Sequence, residues 1–170
     1  MNRRMRTNMF LLVMVALLGA AVYAELRKED ALATNPLTAL DPAAVRTLGI
    51  ACVDCKARRF EKIDGRWRML EPFVQAADDA RVERLVAIVR APVRFRHAAG
   101  ELDARKLGLD PPWATLRIDD TTLTFGTTDA IHGDRYVRVG DTIALVPDRF
   151  SALLFEKPES ELAKPAAGKE

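Results

Sequence analysis

The chain has 170 residues, 49% hydrophobic and 29% charged, enough for one domain with a real core. Its net charge of +2 comes from the first residues: Arg3, Arg4 and Arg6 stand in a stretch, 1–24, without acids, and the remainder nets −1. A body so close to neutral lacks the basic footprint of a nucleic-acid-binding protein.

Residues 1–8 read as a basic leader to "MFLLVMVALLGAAVYA", residues 9–24, which carries no charge. Counted from Thr7, the uncharged run between Arg6 and Glu25 would make a helix of about 27 Å at ~1.5 Å per residue, against ~30 Å of bilayer hydrocarbon. A helix of this length in water needs a polar face, and this one has none. Met9, Phe10, Leu11, Leu12, Val13, Leu17 and Leu18 are therefore expected to meet lipid. Two readings compete: a permanent single-span anchor, or a secretory signal cut after Ala24, with Val22 and Ala24 as the small residues. The anchor is favoured, because the run is long for a signal and no polar segment precedes the cleavage point. No cysteine follows closely, which excludes a lipoprotein anchor. Either way the arginines stay cytoplasmic and the chain beyond residue 25 crosses the inner membrane into the periplasm.

Residues 25–44 read as a juxtamembrane linker, with a short helix opening at Asp41-Pro42. The domain proper is expected over 45–156. "TLGIACV" is a short strand, and "RRFEKIDGRWRML" a hairpin turning at Asp64-Gly65. Phe60, Ile63, Trp67 and Met69 are its apolar residues, alternating with Arg66, Arg68 and Glu71. Residues 78–91 show one apolar stripe at Val82, Leu85, Val86 and Val89, with Asp78 or Asp79 as the cap. "PVRFRHA" reads as a strand and 101–109 as a short helix stopped at Gly108 and Pro111-Pro112. Two more hairpins turn at Asp119-Asp120 and Gly140-Asp141, and a short helix comes next over 147–155. The last residues, 157–170, are rich in Lys, Pro, Glu, Ala and Gly and read as a disordered tail. Tight hairpins and one striped helix predict an α+β domain: antiparallel strands with the 78–91 helix packed on the sheet.

Cys52 and Cys55, the only cysteines, form a C-x-x-C. Were the strand to run on through Cys55, their Cα atoms would lie about 10 Å apart and could not be bridged. A turn over 52–55 brings them within ~7 Å and makes a disulfide feasible. A thioredoxin-like site needs a helix after the pair to lower a thiol pKa, whereas "KARRFEKID" reads as strand. A zinc site needs about four ligands, and His97 and His132 are the only histidines. His132 with Asp134 resembles a base and its orienting acid, but a solvent-facing polar hairpin loop explains them better. Arg58, Arg59, Arg66 and Arg68 read either as a basic patch or, with interleaved acids, as a solvated strand face. No catalytic set, metal site or cofactor is expected.

Trp67 with Pro72, Ala77-Asp78, Gly108-Leu109 with Pro111-Pro112, Phe125-Gly126 and Arg135-Tyr136-Val137 together resemble the bacterial domain family DUF4340, over roughly residues 37–155. The resemblance implies a single N-terminal membrane span and an extracytoplasmic α/β domain. Some relatives are similar to auxiliary components of gliding-motility-type ABC transporters. It thus implies membrane lipid and a transport complex as partners, in an accessory role without catalysis. It carries over no catalytic residue and no role for the C-x-x-C. The rival expectation is an exported thiol-redox protein or enzyme using Cys52 and Cys55.

Overall fold

The computed structural model describes residues 3–33 and 35–163, with side chains inside the first helix described over 8–23. The chain forms two units, Met1–Asn35 and Pro36–Glu170.

The first unit is helix α1, Arg3–Ala33. Every side chain from residue 8 to 23 is exposed, including Phe10, Leu11, Leu12, Leu17 and Leu18. Among the described residues, no helix is long and apolar enough to cross a membrane. The sixteen positions of 8–23 make about 24 Å of helix. The helix runs on to Ala33, through the first nine residues of the stretch read as linker. At the far end of that stretch Asp41 caps a 3-10 turn, Pro42–Ala44, by accepting from Ala43 N at 3.0 Å.

The second unit is α+β. Among the described residues, nine strands form one antiparallel sheet. In chain order they are β1 (Thr47–Cys52), β2 (Arg58–Ile63), β3 (Arg66–Glu71), β4 (Gln75–Ala76), β5 (Phe95–Ala98), β6 (Ala114–Ile118), β7 (Thr121–Thr128), β8 (Asp134–Val139) and β9 (Thr142–Pro147). The spatial order is β4-β3-β2-β1-β6-β7-β8-β9-β5. Two meanders, β1–β4 and β6–β9, therefore join through the β1–β6 pair, Leu48 opposite Ile118 and Ile50 opposite Leu116. The turns obey their residues. Asp64 and Gly65 both take positive φ, as a two-residue hairpin of the Asp-Gly kind requires, while Gly140 does so ahead of Asp141.

Alternation assigns the sheet faces. Leu48, Ile50, Phe60, Trp67, Met69, Leu116, Ile118, Leu123, Phe125 and Val137 point to one side and form the core. Helix α2, Asp79–Val86, covers them and tightens into a 3-10 turn, Ala87–Arg90. Its stripe of Val82, Leu85, Val86 and Val89 is buried as the spacing predicts. Asp78 caps it through Arg81 N, while the Asp79 carboxylate reaches back to Trp67 N at 2.7 Å and pairs with Arg66 at 2.6 Å. The two acids thus tie helix to strand.

Three expectations need correction. Residues 101–109 are not a helix: Glu101 ends a 3-10 turn, Ala99–Glu101, and 104–108 are turns, with Gly108 at φ +65. Ile63 is exposed and Arg58 buried: Phe60 faces inward, so Arg58 two positions back shares its side and Ile63 falls on the other. The stretch from 157 does not remain outside the fold as far as residue 163. After helix α3 (Ser151–Leu154), Pro158–Glu161 makes a 3-10 turn with Pro158 and Glu161 buried. Leu162 then bridges Ala77, and Ala163 N donates to Ala76 O at 3.0 Å. Residues 164–170 lie outside the described residues.

Candidate functional site

Strand β1 ends at Cys52, and Val53-Asp54 turn the chain, Asp54 taking φ +59. The turn brings the Cys52 and Cys55 Cα atoms to 5.4 Å, and the two are joined as a disulfide. Of the two geometries the sequence left open, the chain takes the turn. No helix begins at the pair, and the next element of the chain is strand β2. The arrangement thus lacks the dipole that activates a thiol in redox enzymes. Cys52 Sγ lies 3.5 Å from Leu154 O, so the bridge rests against the end of α3. A crevice of about 380 Å³ separates the disulfide turn from the segment after α3, lined by Cys55, Lys56, Phe155 and Lys157 among others.

Arg58, three residues beyond Cys55, is a clustered, buried residue where the sequence pattern suggests a wet strand face. Its guanidinium is fully buried and meets Glu161 at 2.5 Å. It also donates to the carbonyls of Leu153 and Leu154, closing the last turn of α3 from outside the helix. Beside it, Arg81 of α2 pairs with Glu156 and lies 3.9 Å from Asp78. Burial pushes the Glu161 carboxyl up to about 7; the Arg58 charge opposes the shift and the Glu156 charge adds to it. Burial likewise lowers the Arg58 pKa, partly offset by Glu161. This network joins β2, α2 and the last turn. Chemically it is a clamp: its charges face one another, and no nucleophile stands among them.

The His132 loop between β7 and β8 also proves to be a clamp. Asp129 accepts from the backbone N–H groups of Ile131, His132 and Asp134 at 3.2, 3.0 and 2.7 Å. His132 Nδ1 meets Asp129 at 3.3 Å, so its acid is Asp129 and not Asp134. The backbone N–H of His132 and the other donors hold the Asp129 carboxyl below its usual range. Buried Asp134 pairs instead with Arg94 at 3.0 Å. Asp129, His132 and Asp134 bring one ligand atom each within 4.8 Å of one another. Backbone donors engage the Asp129 carboxylate, whereas Asp134 Oδ2 is buried with no hydrogen-bond partner and faces Arg94 only as an ion pair. His97 meets Glu101 only at 3.8 Å.

The residues that carry the family resemblance meet as packing. A Cβ on Gly126 would stand 2.1 Å from Leu107 O, so only glycine lets the 103–109 turns dock on β7. Arg135 donates to Gly126 O and to Asp148 at 2.7 Å, and stacks over Trp113 at 5.7 Å. Burial would raise the Asp148 carboxyl, but Arg135 and Ser151 together hold it below its ordinary value. Phe125 meets Phe150 edge-on at 5.4 Å.

A single antiparallel sheet with helices on one face and a clamped C-terminal turn defines an α+β domain. The family described as "Domain of unknown function (DUF4340)" matches residues 67–164, more than half of the chain, and the protein belongs to it. The match extends to the buried Pro158–Glu161 turn, beyond residue 155 where the resembling motifs stop. No curated protein and no solved structure matches the chain.

Proposed function

We propose that the protein is a single-span inner-membrane protein whose α+β domain lies on the periplasmic side. There it serves as a non-enzymatic accessory module of a transport complex. The observation that carries the anchor is the uniform exposure of the apolar side chains of α1 from Met9 to Tyr23. An apolar surface on all sides of a helix is costly in water, at roughly 25 cal/mol per Å², and neutral in lipid. In this reading the eighteen uncharged residues inside the 31-residue helix are fitted to the bilayer by snorkelling of the flanking arginines and local thinning by the few missing ångströms. The Cys52–Cys55 disulfide suits an oxidising compartment.

The accessory role draws on the family resemblance and on the chemistry of the domain. The Arg58–Glu161 and Asp129–His132 clusters make structural contacts, and neither pairs a nucleophile with a base. The thiol-redox reading has one observation in its favour, the C-x-x-C disulfide. That pair lacks a helix N-terminus, and Cys52 rests against Leu154 O.

Crosslinking of the full chain in native membranes, read by mass spectrometry, tests the role. Recovery of membrane-transport subunits is expected; recovery of no protein partner contradicts it. A Cys52→Ser/Cys55→Ser variant that loses cellular function while keeping its stability would favour the redox reading instead.

A further inference from the structure

The face of the sheet opposite the core carries a basic groove that the anchoring and accessory readings do not use. One row of paired residues crosses it: Glu71 on β3, Arg59 on β2, Gly49 on β1, Arg117 on β6 and Thr122 on β7. The missing side chain of Gly49 leaves a dip between two arginines, and Arg46 closes one end. The resulting groove is about 590 Å³ and is lined by Arg46, Thr47, Arg59, Arg117, Asp119 and Asp120 around its floor. This is not the patch anticipated along the 58–68 hairpin. Arg58 is withdrawn into the core and Arg66 is tied to Asp79, while Arg59 stands in one row with Arg117 of β6 and lines the groove with Arg46.

Two acids, Asp119 and Asp120, line the groove beside three arginines, Arg46, Arg59 and Arg117, which leaves one positive charge in excess. Asp119 spends its carboxylate inward, accepting from Arg46 N, Thr47 N at 2.8 Å and Thr47 Oγ1 at 2.9 Å. Glu71 meets Arg59 at 3.6 Å with both side chains more than half exposed, a contact worth little in water. Arg117 holds only the carbonyl of Asp119, at 3.4 Å. Three guanidiniums with unspent donors, around a dip that backbone alone floors, match an oxyanion with several acceptor oxygens.

We propose that this groove binds a phosphate group, with Arg59 and Arg117 gripping it from either side of Gly49 and Arg46 completing the charge. The phosphate comes either from a free phosphate compound or from a phospholipid headgroup, and the recognition chemistry is the same. The site is independent of the anchoring reading, since it needs only the folded sheet.

The test is titration of the full chain, in zwitterionic detergent, with two probes. One is inorganic phosphate, and the other is glycerophosphoglycerol, a headgroup without acyl chains. The readout is calorimetry together with the Nε–H resonances of Arg59 and Arg117. At least one probe is expected to saturate with a Kd below about 1 mM. Tighter binding of phosphate identifies a free ligand, and tighter binding of glycerophosphoglycerol identifies the lipid source. R59Q/R117Q, which alters only exposed side chains, is expected to weaken binding at least tenfold with an unchanged melting temperature. G49L is expected to abolish it while folding normally, because a Cβ there meets nothing closer than Arg117 Cβ at 4.0 Å. Binding that is absent for both probes, or unchanged in R59Q/R117Q, overturns the proposal.

Discussion

Glu161→Gln isolates the cost of keeping a carboxylate in the clamp. The residue is 1% exposed and meets Arg58 at 2.5 Å. Its carboxyl is raised from 4.5 to about 7. A raised carboxyl means that the folded state holds its proton more tightly than the unfolded chain does. The stabilisation is therefore fully present below pH 4.5 and is lost as pH rises through 7. That interval is worth about 3 kcal/mol at ~1.4 kcal/mol per pH unit. Glutamine mimics the protonated acid at every pH. Urea unfolding of both proteins in detergent, from pH 4.5 to 8, should give near-equal stabilities at the acid end. At pH 8 the variant should be the more stable, by about 3 kcal/mol. Asp129 and Asp148 act in the opposite sense and at lower pH, since their pKa values are depressed. They are common to both proteins and drop out of the difference. A stability difference that stays constant across the range, or that favours the wild type at pH 8, would refute the reasoning.

Three further outcomes are expected. Gly126→Ala drives a methyl into Leu107 O and should cost at least about 1–3 kcal/mol, seen as a lowered melting temperature; an unchanged melt would remove the close approach. Intact mass should show Cys52 and Cys55 resistant to alkylation until reduced, and reduction should cost about 2 kcal/mol for so short a loop. Asp129→Ala should speed hydrogen exchange at the amides of Ile131, His132 and Asp134, which lose their acceptor, while leaving exchange along β1 unchanged.

What can be read from the sequence is local. The hairpin at Asp64-Gly65, the α2 stripe and the inner faces of β6 and β7 each lie within a dozen residues, and each forms as its pattern implies. Contacts distant in sequence escape. Arg58 and Glu161 stand 103 positions apart. Nothing local distinguishes an arginine that will be buried from one on a wet strand face. Only the period set by Phe60 holds a clue, since it puts Arg58 inward and Ile63 outward. The last turn looks like disordered tail because its composition has few apolar residues. It folds through one buried charge pair and backbone bonds to Ala76 and Asp78. The C-x-x-C stands out in the sequence as a reactive centre, and its turn at Val53-Asp54 makes it a brace beside α3. The phosphate groove is invisible for the same reason as the clamp: Arg46, Arg59 and Arg117 become neighbours only when β1 joins β2 to β6.

The placement of the domain outside the cytoplasm is the central claim, and the β7–β8 loop offers its most direct test. The Ile131 side chain is 85% exposed there, while its backbone N–H is held by Asp129. With Cys52 and Cys55 bridged, Ile131→Cys supplies a single reactive thiol. Intact cells are treated with a sulfonated maleimide that passes outer-membrane pores but not the inner membrane. The account predicts full labelling of Ile131→Cys before lysis, on a chain recovered in the membrane fraction. Labelling only after lysis would place the domain in the cytoplasm and contradict it.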